Sequence, residues 1–132
     1  MKVLIIDDDA DIRSIARLSL SRLGGMEVTE AASGGEGVRR AREETPDIIL
    51  LDMMMPTMDG LETLSALRSQ PATAMTPVIF LTAKAIGAEV ERMTALGAAG
   101  VLIKPFDPRT LSADVQAIIA RPLDATRPLD AT

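Results

Sequence analysis

Ile48-Ile49-Leu50-Leu51 lies between Asp47 and Asp52, and Pro56 and Gly60 interrupt the backbone soon after. Four apolar residues, two of them β-branched, are too few for a helix and fit a strand covered on both faces. The run stops at a single acid, so Asp52 ends the strand and opens a loop. Open α/β sheets place ligands and chemistry at the carboxyl ends of their strands. Taken alone, Asp52 reads equally well as a functional acid or as a solvated strand end or helix cap. Asp59 suits the cap better, because Glu62 three residues on completes a capping box.

The same grammar recurs along the chain. Residues 2–6 form an apolar run ending in Asp7-Asp8-Asp9, and a helix is predicted over 11–23. Its inner face would be Ile12, Ile15, Ala16, Ser19 and Leu23, with Gly24-Gly25 as the stop. Residues 26–31 alternate apolar and polar, as an edge strand with one wet face would. Ser33 and Glu36 predict a second capping box and a helix to about Glu44, ended by Thr45-Pro46. After the strand at 48–51, a helix is expected over 60–69. A fourth strand, 77–81, ends at Thr82. Ile86, Val90 and Met93 mark a helix that stops at Gly97. A fifth strand, 100–103, ends at Lys104. Asp107 would cap and Pro108 open the last helix, whose buried face is Leu111, Val115, Ile118 and Ile119.

Five strands alternating with five helices give an α/β protein with a doubly wound, five-stranded parallel sheet and right-handed crossovers. The wet second strand belongs at an edge. That favours the flavodoxin-like order 2-1-3-4-5. Residues 1–120 fill one domain. The remainder, residues 121–132, repeats Arg-Pro-Leu-Asp-Ala-Thr twice without variation. Two six-residue copies cannot form a solenoid, and a duplicated or appended flexible end is favoured over a docking peptide.

Composition removes several chemistries. The chain has no Cys and no His, so thiolate chemistry, zinc-cysteine sites and a phosphohistidine of its own are excluded. A net charge of -5 with scattered Lys and Arg argues against direct nucleic-acid binding. The first apolar run is too short for a signal peptide or membrane span, so a cytoplasmic location is expected.

In a parallel sheet Asp7-Asp8, Asp52, Thr82 and Lys104 would all lie along one edge. Three carboxylates in one cleft repel unless a cation sits among them. All-oxygen ligands favour a hard ion, and Mg²⁺ suits a small, partly hydrated site that must also hold a phosphoryl group. Thr82 would supply a hydroxyl and Lys104 a point charge. Such a set suits phosphoryl transfer onto Asp52, which would attack in line. The methionines at 53, 54, 55 and 58 read as gap filling rather than a soft-metal site, which no His or Cys supports.

Ile5-Ile6-Asp7-Asp8, Asp52 with Met55-Pro56 and Met58-Asp59-Gly60, Thr82-Ala83, Leu96-Gly97-Ala98 and Lys104-Pro105-Phe106 together resemble one family. It is the receiver domains of two-component response regulators, such as the stand-alone chemotaxis receiver. The match covers about residues 1–120. The resemblance implies that Asp52 is the phosphoacceptor, that Asp8 binds Mg²⁺ directly and that Asp7 acts largely through water. The backbone carbonyl of Met54 would complete the metal site. Thr82 and Lys104 would bind phosphoryl oxygens, and Lys104-Pro105 would be a cis peptide. The donor would be a phosphohistidine on a histidine kinase or phosphotransfer protein. The output would be a switched surface for a downstream protein, with the receiver a monomer or weak dimer. It would be no enzyme beyond its own phosphorylation and dephosphorylation.

The sequence departs from the family's pattern in three places. Val101 stands where many receivers carry an aromatic switch residue. Met54 and Lys84 stand where side chains tune water attack on the acyl phosphate. Asp114 and Gln116, with Ala99-Gly100, replace the charges of the dimer salt-bridge pattern found in many DNA-binding regulators. Two other readings compete. A phosphatase of the haloacid dehalogenase type would want an acid where Met54 sits. A flavodoxin-like cofactor binder would want a phosphate-cradling loop after the first strand, where three acids stand instead.

Overall fold

The structure is a computed structural model and describes residues 1–83 and 87–120. The expectations for Lys84, Ile86 and residues 121–132 lie outside the described residues. Five strands, β1 (Lys2–Ile6), β2 (Glu27–Ala31), β3 (Ile48–Asp52), β4 (Val78–Thr82) and β5 (Gly100–Ile103), alternate with five helices. The helices are α1 (Ala10–Gly24), α2 (Gly34–Glu44), α3 (Gly60–Arg68), α4 (Gly87–Ala95) and α5 (Leu111–Ile119). All pairings are parallel, in the order β2-β1-β3-β4-β5, as expected.

Strand alternation splits the core into two layers. Leu4, Ile6, Ile49, Leu51, Val78 and Phe80 face the layer containing Leu61, Leu64 and Leu67 of α3 and Met93 of α4. Val3, Ile5, Ile48, Leu50, Ile79 and Leu81 face Ala16 and Leu20 of α1 and Leu111 and Val115 of α5. The continuous apolar runs of β1, β3 and β4 are therefore buried on both sides. Phe80 is wholly buried, and truncating such a side chain to alanine typically costs about 3–5 kcal/mol.

Three local expectations need correction. The inner face of α1 is Ala16, Ser19 and Leu20, while Ile15 and Leu23 are exposed. Small residues at 16 and 19 let α5 approach, and the Ser19 hydroxyl donates to the Pro108 carbonyl. At α2, Ser33 accepts from the Glu36 N–H, but Glu36 reaches past it to the Ala32 N–H at 2.8 Å, so the reciprocal box does not form. Asp107 caps a turn rather than α5: its carboxylate takes the Arg109 N–H at 2.8 Å, and α5 begins at Leu111. The capping box of Asp59 and Glu62 on α3 is present as expected.

Candidate functional site

Alternation also selects which strand-end side chains meet. Val3 and Ile5, Ile48 and Leu50, and Leu102 pack on the α1–α5 face. Asp7, Asp52 and Lys104 continue the same parity at the carboxyl ends of β1, β3 and β5. The Lys104 ammonium donates to Asp7 Oδ2 at 2.7 Å and to Asp52 Oδ1 at 3.1 Å. Asp7 is fully buried, Asp52 is nearly so, and Asp8 is exposed. One carboxylate oxygen from each of the three acids lies within 4.8 Å of the others.

The electrostatics follow from that crowding. Burial, and then the charge of Asp7, push the Asp52 carboxyl up from 3.8 to about 6, against the pull of Lys104. Burial alone would lower Lys104. The hydrogen bond and charge of Asp7, then those of Asp52, outweigh it and hold the ammonium above its ordinary range. Three carboxylates facing one ammonium leave excess negative charge in a partly closed cleft. The donors are all oxygen, which fits a hard divalent cation. Asp7, Asp8 and Asp52 are thus a group able to hold a metal ion.

Thr82 closes β4 and is buried. Its parity follows Phe80, so it comes from the other side of the sheet, and its carbonyl accepts the Lys104 N–H at 2.7 Å. The Lys104–Pro105 peptide is cis, as the resemblance implied. Met54 donates its N–H to Asp52 Oδ1 at 3.4 Å and leaves its side chain 70% exposed, while Met53 and Met55 are buried. Val101 pairs with Phe80 across the β4–β5 ladder and packs, half-buried, on the core.

Sequence reasoning missed Arg13. Its guanidinium donates to the Asp7 carbonyl at 2.8 Å and to Glu30 at 3.1 Å, tying the β1–α1 turn to the edge strand. A basic residue in the first turns of a helix reads as a solvated face, so only the register of β1 against β2, which sets Ile5 beside Glu30, reveals it. Asp9 holds the same turn by capping α1 through the Asp11 and Ile12 N–H groups.

The loop after Asp52 is fixed by close packing. A Cβ on Gly60 would lie 2.6 Å from the Asp52 carbonyl oxygen and 2.8 Å from Met53 Cα, so α3 starts against bare backbone there. Thr57 in the same loop holds φ at 70°, a left-handed value that a β-branched residue adopts at a cost. Thr57→Asn should raise stability by up to about 1 kcal/mol, because Asn tolerates that region. Urea denaturation checks this: an unchanged or lower midpoint removes the strain.

Comparison with known proteins agrees with this arrangement. The family model described as the response regulator receiver domain matches residues 3–116. A probable chemotaxis protein CheY of Rhizobium etli is 36% identical over 118 residues, covering 89% of this chain and 92% of that protein. The alkaline phosphatase synthesis transcriptional regulatory protein PhoP of Bacillus subtilis is 38% identical over 120 residues, 91% of this chain. The chain spans only about half of that regulator, 49% of its length. The chemotaxis response regulator CheY4 of Vibrio cholerae superposes with a TM-score of 0.82 at 37% identity, covering 89% of this chain and 97% of that one. The chain belongs to the response regulator receiver domain family, whose general function is phosphorelay signalling in two-component systems.

Proposed function

We propose that Asp52 is the phosphoacceptor, and that Mg²⁺ is the cation held by Asp7, Asp8, Asp52 and the Met54 backbone carbonyl. Thr82 and Lys104 bind the phosphoryl oxygens. The observation that carries this reading is the Lys104 ammonium, hydrogen-bonded to both Asp7 and Asp52 at the strand ends. The phosphoryl donor is a phosphohistidine on a histidine kinase or phosphotransfer protein, the donor that membership of the receiver family implies; the chain has no histidine of its own. The receiver catalyses only its own phosphorylation and dephosphorylation, and its output is a switched surface for a downstream protein in the cytoplasm.

In this mechanism a carboxylate oxygen of Asp52 attacks phosphorus in line. The P–N bond to imidazole breaks, an acyl phosphate forms, and the leaving imidazole takes up a proton. Bound Mg²⁺ supplies positive charge for the phosphoryl oxygens and for the acid cluster. Lys104 swings its hydrogen bond from Asp52 to the incoming oxygens while Asp7 continues to hold it. Arg13 fixes the Asp7 carbonyl and so the backbone that presents Asp7 and Asp8. Val101 has no hydroxyl or ring to report the change. The switch therefore runs through backbone movement after Thr82 and repacking beside Phe80.

The testing experiment is a phosphotransfer profile against histidine kinases and phosphotransfer proteins, with acetyl phosphate alongside, read by intact mass. Failure to take up acid-labile phosphate from any donor overturns the reading. For the metal, Mg²⁺ should raise the melting temperature of the native chain, and much less that of Asp8→Ala. Equal shifts in both proteins would place the cation elsewhere.

A further inference from the structure

At the amino ends of β4 and β5, the edge of the sheet away from Asp52, lies an open groove of about 780 Å³. Its walls are apolar and come from three directions: Met75 before β4, Val90 on α4 with Val101 on β5, and Ile118 and Ile119 on α5. Met75 is 86% exposed, a large apolar side chain left beside other apolar surface. One charge stands in the wall. Arg68 donates to the carbonyls of Thr73, Thr76 and Gly97 at 3.3, 2.8 and 3.1 Å. Among the described residues no carboxylate pairs with it. The groove thus asks for an apolar segment that carries one acid.

The chain itself contains that segment twice. Pro122-Leu123-Asp124 and Pro128-Leu129-Asp130 follow directly on α5, whose last turn lines the groove. Leu123 is four residues past Ile119 and Leu129 is ten, which at full extension allow about 14 and 35 Å of reach. Tethering so short gives an effective concentration on the order of millimolar, so a weak contact suffices for occupancy. The tail's composition alone favours a flexible end over a docking peptide, but the groove reverses that preference: we propose that a Pro-Leu-Asp unit of residues 121–132 docks in this groove of its own molecule, with leucine against the apolar walls and aspartate on Arg68. Proline at the unit's first position restricts the backbone before docking and lowers the ordering cost. A tail seated there covers the surface shared by α4, β5 and α5, so a partner that uses this surface must displace it.

The test uses the full chain. With no native cysteine, Ala131→Cys carries a single nitroxide, and amide broadening is measured against the reduced label. Broadening is expected at Val90, Thr94 and Val101. It should be lost when Leu123→Asp and Leu129→Asp are added, and weakened by Asp124→Asn with Asp130→Asn. These substitutions lie outside the described fold, and an unchanged amide spectrum for residues 2–80 verifies that it stays intact. Equal broadening in the leucine variant would mean that the tether alone brings the label close, and would overturn docking. Broadening of an isotope-labelled native chain by an unlabelled nitroxide chain would assign the groove to a second copy's tail, and would also overturn it. No broadening at all has the same consequence.

Discussion

Asp52→Asn is expected to take up no acid-labile phosphate from acetyl phosphate or a phosphohistidine donor, and to melt several degrees higher than the native chain in metal-free buffer at pH 7. The two effects share one cause. The amide lacks the carboxylate proposed to attack phosphorus, and it also removes a charge that the fold disfavours. The Asp52 carboxyl is raised from 3.8 to about 6 by burial and by Asp7. A raised folded-state value means the associated stability is full below about pH 4 and is lost as pH rises through about 6. About two pH units at about 1.4 kcal/mol each set an upper bound near 3 kcal/mol at pH 7, shared among coupled charges. Lys104 keeps Asp7 as a partner, so the substitution does not strand it.

The pH dependence separates this account from a packing effect. The melting curves of native and Asp52→Asn proteins should converge toward pH 4 and diverge by pH 7. A gap that is constant with pH would mean the amide simply packs better. Continued labelling of Asp52→Asn by intact mass would end its assignment as the acceptor. A cation bound by the ionised acids should also bind less tightly as pH falls through about 6, because protonated Asp52 offers it less charge.

The strand-end residues were legible because in β1, β3 and β4 each apolar run is short, unbroken and stopped abruptly by polar residues. The wet alternation of 26–31 placed β2 at an edge and so favoured, without fixing, the order β2-β1-β3-β4-β5 that the sheet has. Helix faces were less legible. α1 carries apolar residues all round, and periodicity could not prefer Leu20 over Ile15 or Leu23, because the choice rests with Ser19 and Ala16 admitting α5. Asp107 followed by Pro108 reads as a helix start, yet Arg109 draws the carboxylate into a local turn. Arg13 was hidden because its target is a backbone carbonyl, which no side-chain pattern records. The groove beside Ile119 was hidden for a related reason: its walls come from segments far apart in the chain.

Met54→Asn should shorten the lifetime of the Asp52 phosphate by up to about 10²-fold, the low end of the range typical for a positioned group that assists proton transfer. Hydrolysis requires water in line with phosphorus, opposite the Asp52 oxygen. Met54 lies two residues past Asp52, its N–H on the carboxylate and its side chain largely exposed, whereas Met53 and Met55 are buried. It is therefore the methionine of this run free to lie over the open side of the site. A thioether is long, flexible and a weak acceptor, so it covers the phosphoryl group without orienting water. Asn is shorter and offers both a carbonyl and an amide, which opens the approach and gives water a partner. Met54→Leu, equally apolar, should keep the native lifetime, which distinguishes hydrogen bonding from loss of a methionine as such. The measurement is decay of acid-labile phosphate in Mg²⁺ buffer after donor removal. If Met54→Asn decays at the native rate or more slowly, this side chain does not guard the water path.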